Sequence, residues 1–196
     1  MKPRFCGIRH VMLAVMFLVF AVAAQAAVLD QNNPPLNVGL NDSLEWQQQV
    51  TAGLGGTLAG ITLYVNAGSD TDLVQIGVGP GYFTGTYSFS ATVTILASGT
   101  FIDTSAAGIH LNPGDPFVID VTGGPGCCNL AGSINAYPGG DLYLNVGGNV
   151  EDYTQLFGYS MAFQTYMNTI PEPGSLLLLG SGVAGLAGLL RRKVGL

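Results

Sequence analysis

Between Ala27 and Ile170 the chain has no lysine and no arginine. All six of its basic residues lie at the ends, with Lys2, Arg4 and Arg9 at the start and Arg191, Arg192 and Lys193 at the finish. The stretch between them carries Asp30, Asp42, Glu45, Asp70, Asp72, Asp103, Asp115, Asp120, Asp141, Glu151 and Asp152. Such a surface repels phosphate backbones, which excludes nucleic acid as a partner. Histidine is nearly absent too, His110 being the only one beyond the leading segment. A Ser-His-Asp triad would have to use His110 alone, and no nucleophile elbow, phosphate loop or His/Cys zinc spacing surrounds it. No stretch of the middle shows helical periodicity. The chain has 196 residues, enough for one domain of ordinary size plus targeting segments.

What is present is clearest at the termini. Lys2, Arg4 and Arg9 precede the apolar run Val11–Ala24, which is too short for a comfortable span. Ala24-Gln25-Ala26 then supplies a small-x-small cleavage site. This is the pattern of a secretory signal peptide over 1–26, with a mature start at Ala27. The other end reverses the order: Pro171-Glu172-Pro173-Gly174, an apolar run from Ser175 to Leu190, and the basic stop Arg191-Arg192-Lys193. A helix over 175–190 would be about 24 Å long, slightly under the bilayer's hydrocarbon thickness of about 30 Å. The basic triplet places its end in the cytoplasm and the domain outside. Two prolines keep the preceding segment extended and open to a protease.

The middle, 27–169, reads as strands separated by turns at intervals of about ten residues. Strands are expected at Val28–Gln31, Ser43–Val50, Thr57–Val65, Asp72–Val78, Phe117–Val121, Leu130–Tyr137, Asp141–Val146 and Met161–Met167. The most regular pattern is Thr84–Ala97, where apolar residues alternate with Thr and Ser. That predicts a long half-buried strand with one packed face and one hydroxyl ladder. The fold class is therefore all-β, a two-sheet sandwich or barrel, flanked by a signal helix and a transmembrane helix.

Several residues are candidates for chemistry. Trp46, Tyr82, Phe83, Tyr137 and Tyr143 carry rings of the kind that stack on pyranoses. Asn66–Asp72 is oxygen-rich, which makes Asp70 and Asp72 candidate Ca²⁺ ligands, although the EF-hand register is missing. The pairs Asp70/Asp72 and Glu151/Asp152 would serve a glycan hydrolase only if the fold set two carboxyls across a cleft. Cys127-Cys128 lies in a Gly/Pro loop. A tight vicinal disulfide, two free thiols and intermolecular bridges are all open to it. Cys-x-x-Cys redox spacing is absent.

The tail, from Ile170 to Lys193, closely resembles the PEP-CTERM sorting signal of Gram-negative bacteria. The resemblance implies recognition by an exosortase, a membrane-embedded cysteine transpeptidase-like enzyme, and cleavage near Pro171-Glu172-Pro173. It also implies a cell-surface or extracellular destination linked to exopolysaccharide and biofilm. The ectodomain, over most of Leu29 to Asn168, is similar to a jelly-roll ectodomain found in anchored bacterial proteins. The likeness rests on Val50–Leu58 with Ile61-Thr62-Leu63, on Tyr137-Pro138-Gly139-Gly140, and on Met161–Tyr166. Gln164 stands where that family often has arginine. It implies a carbohydrate-module-like fold without a known catalytic centre, with the opening strand paired to the last. The expected function is a non-enzymatic exported surface or matrix protein without cofactors. Its alternatives are a carbohydrate-binding module and, behind that, a glycan hydrolase.

Overall fold

A computed structural model describes residues 27–41, 43–123, 129–169, 180–182 and 185. In chain order the strands are β1 (Val28–Asn33), β2 (Asn37–Leu40), β3 (Glu45–Thr51), β4 (Gly56–Leu63), β5 (Ser69–Val78), β6 (Phe89–Leu96) and β7 (Thr100–Asp103). They continue with β8 (His110–Leu111), β9 (Pro116–Gly123), β10 (Leu130–Ser133), β11 (Leu142–Val146) and β12 (Asn149–Asp152). A one-turn helix α1 (Tyr153–Phe157), β13 (Ser160–Met161) and β14 (Phe163–Thr169) complete the order.

The strands form three antiparallel sheets. One has the order β1-β14-β4-β7, with β8 also on β4; a second is β13-β10-β2; the third is β12-β11-β3-β9-β5-β6. The three-stranded sheet is joined to the first by the Val65–Leu130 bridge and by the Ala131 amide, which donates to the Tyr64 carbonyl at 2.9 Å. One hydrophobic cluster draws on all three sheets. Phe117 and Phe163 are fully buried within it, and each contributes about 1.5–3 kcal/mol by leaving water.

The opening and closing strands meet as the family resemblance implies. Phe163 pairs with Leu63, and Thr169 pairs with Gly56. Val28 pairs with Met167, so the chain enters and leaves the domain at the same end of one sheet. Gly56 is required there. Its φ is +149°, and a Cβ would lie 2.2 Å from the Asn168 carbonyl oxygen.

Some expectations need correction. The strand read over Thr84–Ala97 begins only at Phe89. Residues 79–88 leave the sheet and fold back over it. Phe83 can settle there because Gly77 has no side chain; a Cβ would lie 2.4 Å from the Phe83 ring. From Phe89 onward the alternation holds, with Ser90, Thr92 and Thr94 exposed. Tyr137 is not in a strand, since β10 ends at Ser133. The strands β2, β7 and β12 and the helix α1 were not foreseen. The helix is capped by Asp152, which accepts from the Gln155 amide at 2.8 Å.

Among the described residues no helix is long and apolar enough to cross a membrane. The tail helix expected over 175–190 falls largely outside them, although 180–182 and 185 are helical.

Candidate functional site

The outward face of the six-stranded sheet holds a polar network. Its centre is the run Gln47-Gln48-Gln49 on β3. Alternation along the strand sends Gln47 and Gln49 outward and Gln48 inward. Gln47 is fully buried although it faces outward, because the 79–88 loop covers it. The Gln47 amide oxygen accepts from the Phe83 N–H at 2.7 Å. Its nitrogen lies 2.8 Å from Glu45 Oε1, 3.0 Å from Asp120 Oδ2 and 3.1 Å from the Phe83 carbonyl oxygen. Gln49 Oε1 accepts from the Gly81 N–H at 2.6 Å. One strand therefore fastens the loop at two points, two residues apart.

Two tyrosines of the loop complete the network. The Tyr87 hydroxyl donates to Asp120 Oδ2. The Tyr82 hydroxyl donates to Glu45 Oε1 at 2.7 Å, and the Asn145 amide donates to Glu45 Oε2 at 2.8 Å. Asp120 is 2% exposed. Burial pushes its carboxyl up to about 6, while the hydrogen bond from Tyr87 partly offsets this. Burial and the bond to Glu45 push the Tyr82 phenol up to about 12. Between Ala27 and Ile170 the chain offers no lysine or arginine to these carboxylates, and neutral donors hold them.

Gln48 does comparable work inside. Its side-chain oxygen accepts from the Met161 N–H at 2.8 Å, and its nitrogen donates to the Gly140 carbonyl at 3.1 Å. It thus links the six-stranded sheet to β13. Neither the glutamine run nor Asp120 stood out in the sequence. One signal was present: Asp120 is the sole charge in the buried apolar run Phe117–Val121.

The expected sugar-stacking rings separate. Trp46 is 2% exposed. Its Nε1 donates to the Asn41 carbonyl at 2.7 Å, and the ring meets Tyr153 edge-on at 4.9 Å. It is a core residue and offers no face to a sugar. Tyr137 is also buried, with its hydroxyl donating to Gln31 Oε1 at 2.8 Å and its ring edge-on to Phe163. Tyr82 and Tyr143 form a half-exposed aromatic pair at 6.3 Å, and Phe83, also half-exposed, tilts against Tyr87 at 5.2 Å.

The carboxylate candidates separate likewise. The loop before β5 is shorter than expected, because Ser69 already begins the strand. Asp70 is half-buried and Asp72 fully buried, so they do not form an open calcium loop. Among the described residues no group of three or more His, Cys, Asp or Glu side chains could hold a metal. Glu151 and Asp152 are neighbours on an edge strand, and Asp152 is engaged in capping α1. His110 is exposed, with Nδ1 3.1 Å from Thr57 Oγ1.

Ala27 is described and exposed. Ala24, Ala26, Cys127, Cys128, Pro171, Glu172, Pro173, Arg191, Arg192 and Lys193 lie outside the described residues. What is described is the anchorage of the tail. β14 is paired by β1 up to Met167 and by β4 up to Thr169. The Pro-Glu-Pro segment starts two residues later. Residues 169–193 match the PEP-CTERM protein-sorting motif. The PEP-CTERM motif marks the chain as an exosortase-targeted exported protein.

Two solved structures of the clostridial protein Cwp84 match the chain. One holds the cysteine protease and lectin-like domains of Cwp84, a surface-layer-associated protein of Clostridium difficile. It has 14% identity and a TM-score of 0.46, and the match covers 66% of this chain and 32% of that one. The other is a clostridial Cwp84 cysteine-protease variant after propeptide cleavage. It has 13% identity and a TM-score of 0.52, and the match covers 74% of this chain and 40% of that one. The chain thus spans less than half the length of either, and the second likeness, at 13% identity, is one of fold alone. No curated protein matches the chain.

Proposed function

We propose that this chain is exosortase cargo: a precursor held in the inner membrane by its tail, cut near Pro171-Glu172-Pro173, and left at the cell surface or in the exopolysaccharide matrix. Its ectodomain, a jelly-roll-like β-sandwich, acts there as a non-enzymatic structural or adhesive unit. The position of the PEP-CTERM motif carries this reading, since it begins where the last clamped strand ends. Strand pairing ends at Thr169, two residues before Pro171. Mass spectrometry of the protein recovered from its host tests it. The expected mature form starts at Ala27 and lacks the tail, and Pro171→Ala with Pro173→Ala should make the tail persist. A wild-type form still ending at Leu196 overturns the reading.

A second reading, a carbohydrate-binding module, is favoured by one observation. Tyr82 and Tyr143 stand beside Glu45 and Asn145 at the rim of the polar network. Aromatic faces flanked by amide and carboxylate groups are what pyranose recognition uses. On a glycan array the full chain should bind, and Tyr143→Ala should reduce binding; uniform silence of the wild type removes this reading. Hydrolysis is the weakest alternative. Glu45 and Asp120 share one amide nitrogen, but Asp120 is sealed beneath the loop.

A further inference from the structure

The two long edges of the six-stranded sheet differ in how they are protected. β12 is four residues long and carries Glu151 and Asp152. β6 is eight residues long, pairs with β5 alone, and runs without a register shift. It has no proline, no lysine, no bulge and no charge, which are the usual means of blunting an edge. The neutrality extends further, for no residue from Leu73 to Ile102 is charged. The edges of the first sheet are better guarded. β1 carries Asp30 and a register shift between Leu29 and Gln31, while β7 has four residues ending in Asp103.

Thr100 fixes which backbone groups of β6 point outward. Its hydroxyl accepts from the Leu96 N–H at 2.9 Å and donates to the Thr94 carbonyl at 3.3 Å. These groups therefore point away from β5. In an antiparallel ladder, residues two apart point the same way, so Ser90 and Thr92 also direct their N–H and C=O groups to the free edge. The half of β6 nearest Leu96 is plugged by Thr100; among the described residues the half nearest Phe89 has no such plug.

We propose that two copies of this chain pair through β6, antiparallel, about a two-fold axis at Ala91. In that register Ser90 faces the partner's Thr92, and Thr92 faces the partner's Ser90. The four outward groups on each copy then close about four main-chain hydrogen bonds. Ala91 sits at the close-approach position, where a small side chain fits. The partner is a second copy because the rest of the surface is acidic and repels its like. The neutral edge is where two such domains can touch without opposing carboxylates. A symmetric pair is favoured over β6 on β12, whose carboxylates would face the neutral strand without a cation.

Light scattering of the full chain in detergent micelles at pH 7, across a concentration series, tests the pairing. A concentration-dependent dimer is expected. Thr92→Lys, which adds a gatekeeping charge, and Thr92→Pro, which removes an outward donor, should each weaken it by about tenfold or more. With Cys6, Cys127 and Cys128 replaced by serine, Ala91→Cys should give an oxidised covalent dimer that the same chain with Ala91 does not form, because only a two-fold axis at Ala91 sets that residue against itself. A monomeric wild type overturns the proposal. So does a dimer that Thr92→Lys leaves intact, which would place the contact elsewhere, such as in the tail. Failure of Ala91→Cys to link overturns the register.

Discussion

Replacing Trp46 by alanine is expected to lower the unfolding free energy by about 3–5 kcal/mol, the usual range for deleting a buried aromatic. The indole sits on the inward side of β3, between the cross-strand neighbours Val121 and Leu144. Its edge-on partner Tyr153 opens α1, so the cavity would lie where the helix packs on the sheet. The Asn41 carbonyl would lose its donor as well, adding to the loss. Trp46→Phe should fall between, at about 1–2 kcal/mol, because most of the apolar volume remains. Urea unfolding followed by far-ultraviolet circular dichroism reads the effect, since the variants lack the sole tryptophan. A Trp46→Ala chain with an unchanged midpoint would show that the ring is not in the core. Tyr143→Ala is the contrast: it leaves a half-exposed rim and should change stability far less while altering any glycan contact.

The strands β4 and β14 were legible as the patterns Thr57–Val65 and Met161–Met167, and their pairing followed from the resemblance to a jelly-roll ectodomain. The end of the strand pattern at Phe89 was not. Thr84–Ser88 alternates as well as the residues after it, and alternation measures only what one face could bury. The deciding features are Gly77 and the side chains of Gln47 and Gln49. Gly77 gives the 79–88 loop a place to rest, and the glutamines give it polar partners that lie 36 and 32 residues from Phe83 and Gly81 in the chain. The polar network was hidden for the same reason. A glutamine in a strand is usually a solvated surface residue, and nothing local distinguishes one that fixes a loop. Trp46 was misassigned because a lone tryptophan can serve a core or a ligand equally well. Its fate was set by strand parity: Glu45 and Gln47 face outward, so Trp46 faces in.

Asp120→Asn is expected to make the protein more stable than wild type at pH 7 by up to about 3 kcal/mol, and no more stable at pH 4. The sign follows from the direction of the shift. The Asp120 carboxyl is pushed up to about 6 in the folded state, first by burial, against an unfolded value of about 3.9. A raised folded value means that ionisation is harder in the native protein than in the unfolded chain. Asp120 therefore imposes no penalty below about pH 4, a growing one from 4 to 6, and its full penalty above 6. Two pK units correspond to about 3 kcal/mol. Wild-type stability should fall as pH rises through this window, and the variant's should not. Asparagine suits the site because all its present partners can be kept. Its oxygen can take the place of Oδ2, which accepts from Tyr87 and Gln47, and its amide group can donate to Thr122 Oγ1, now 3.3 Å from Oδ1. Asp141, raised by burial and by Asp152, adds a wild-type trend of the same sign. Asp103, lowered by its bonds from Ser105, adds the opposite one. Both are common to the two proteins and cancel in the difference. Urea midpoints of the pair from pH 4 to 7 isolate Asp120, and curves that stay parallel across that range would refute the assignment. Divergence would show that Asp120 is a buried carboxylate whose ionisation, opposed by burial, costs the folded protein stability above about pH 4.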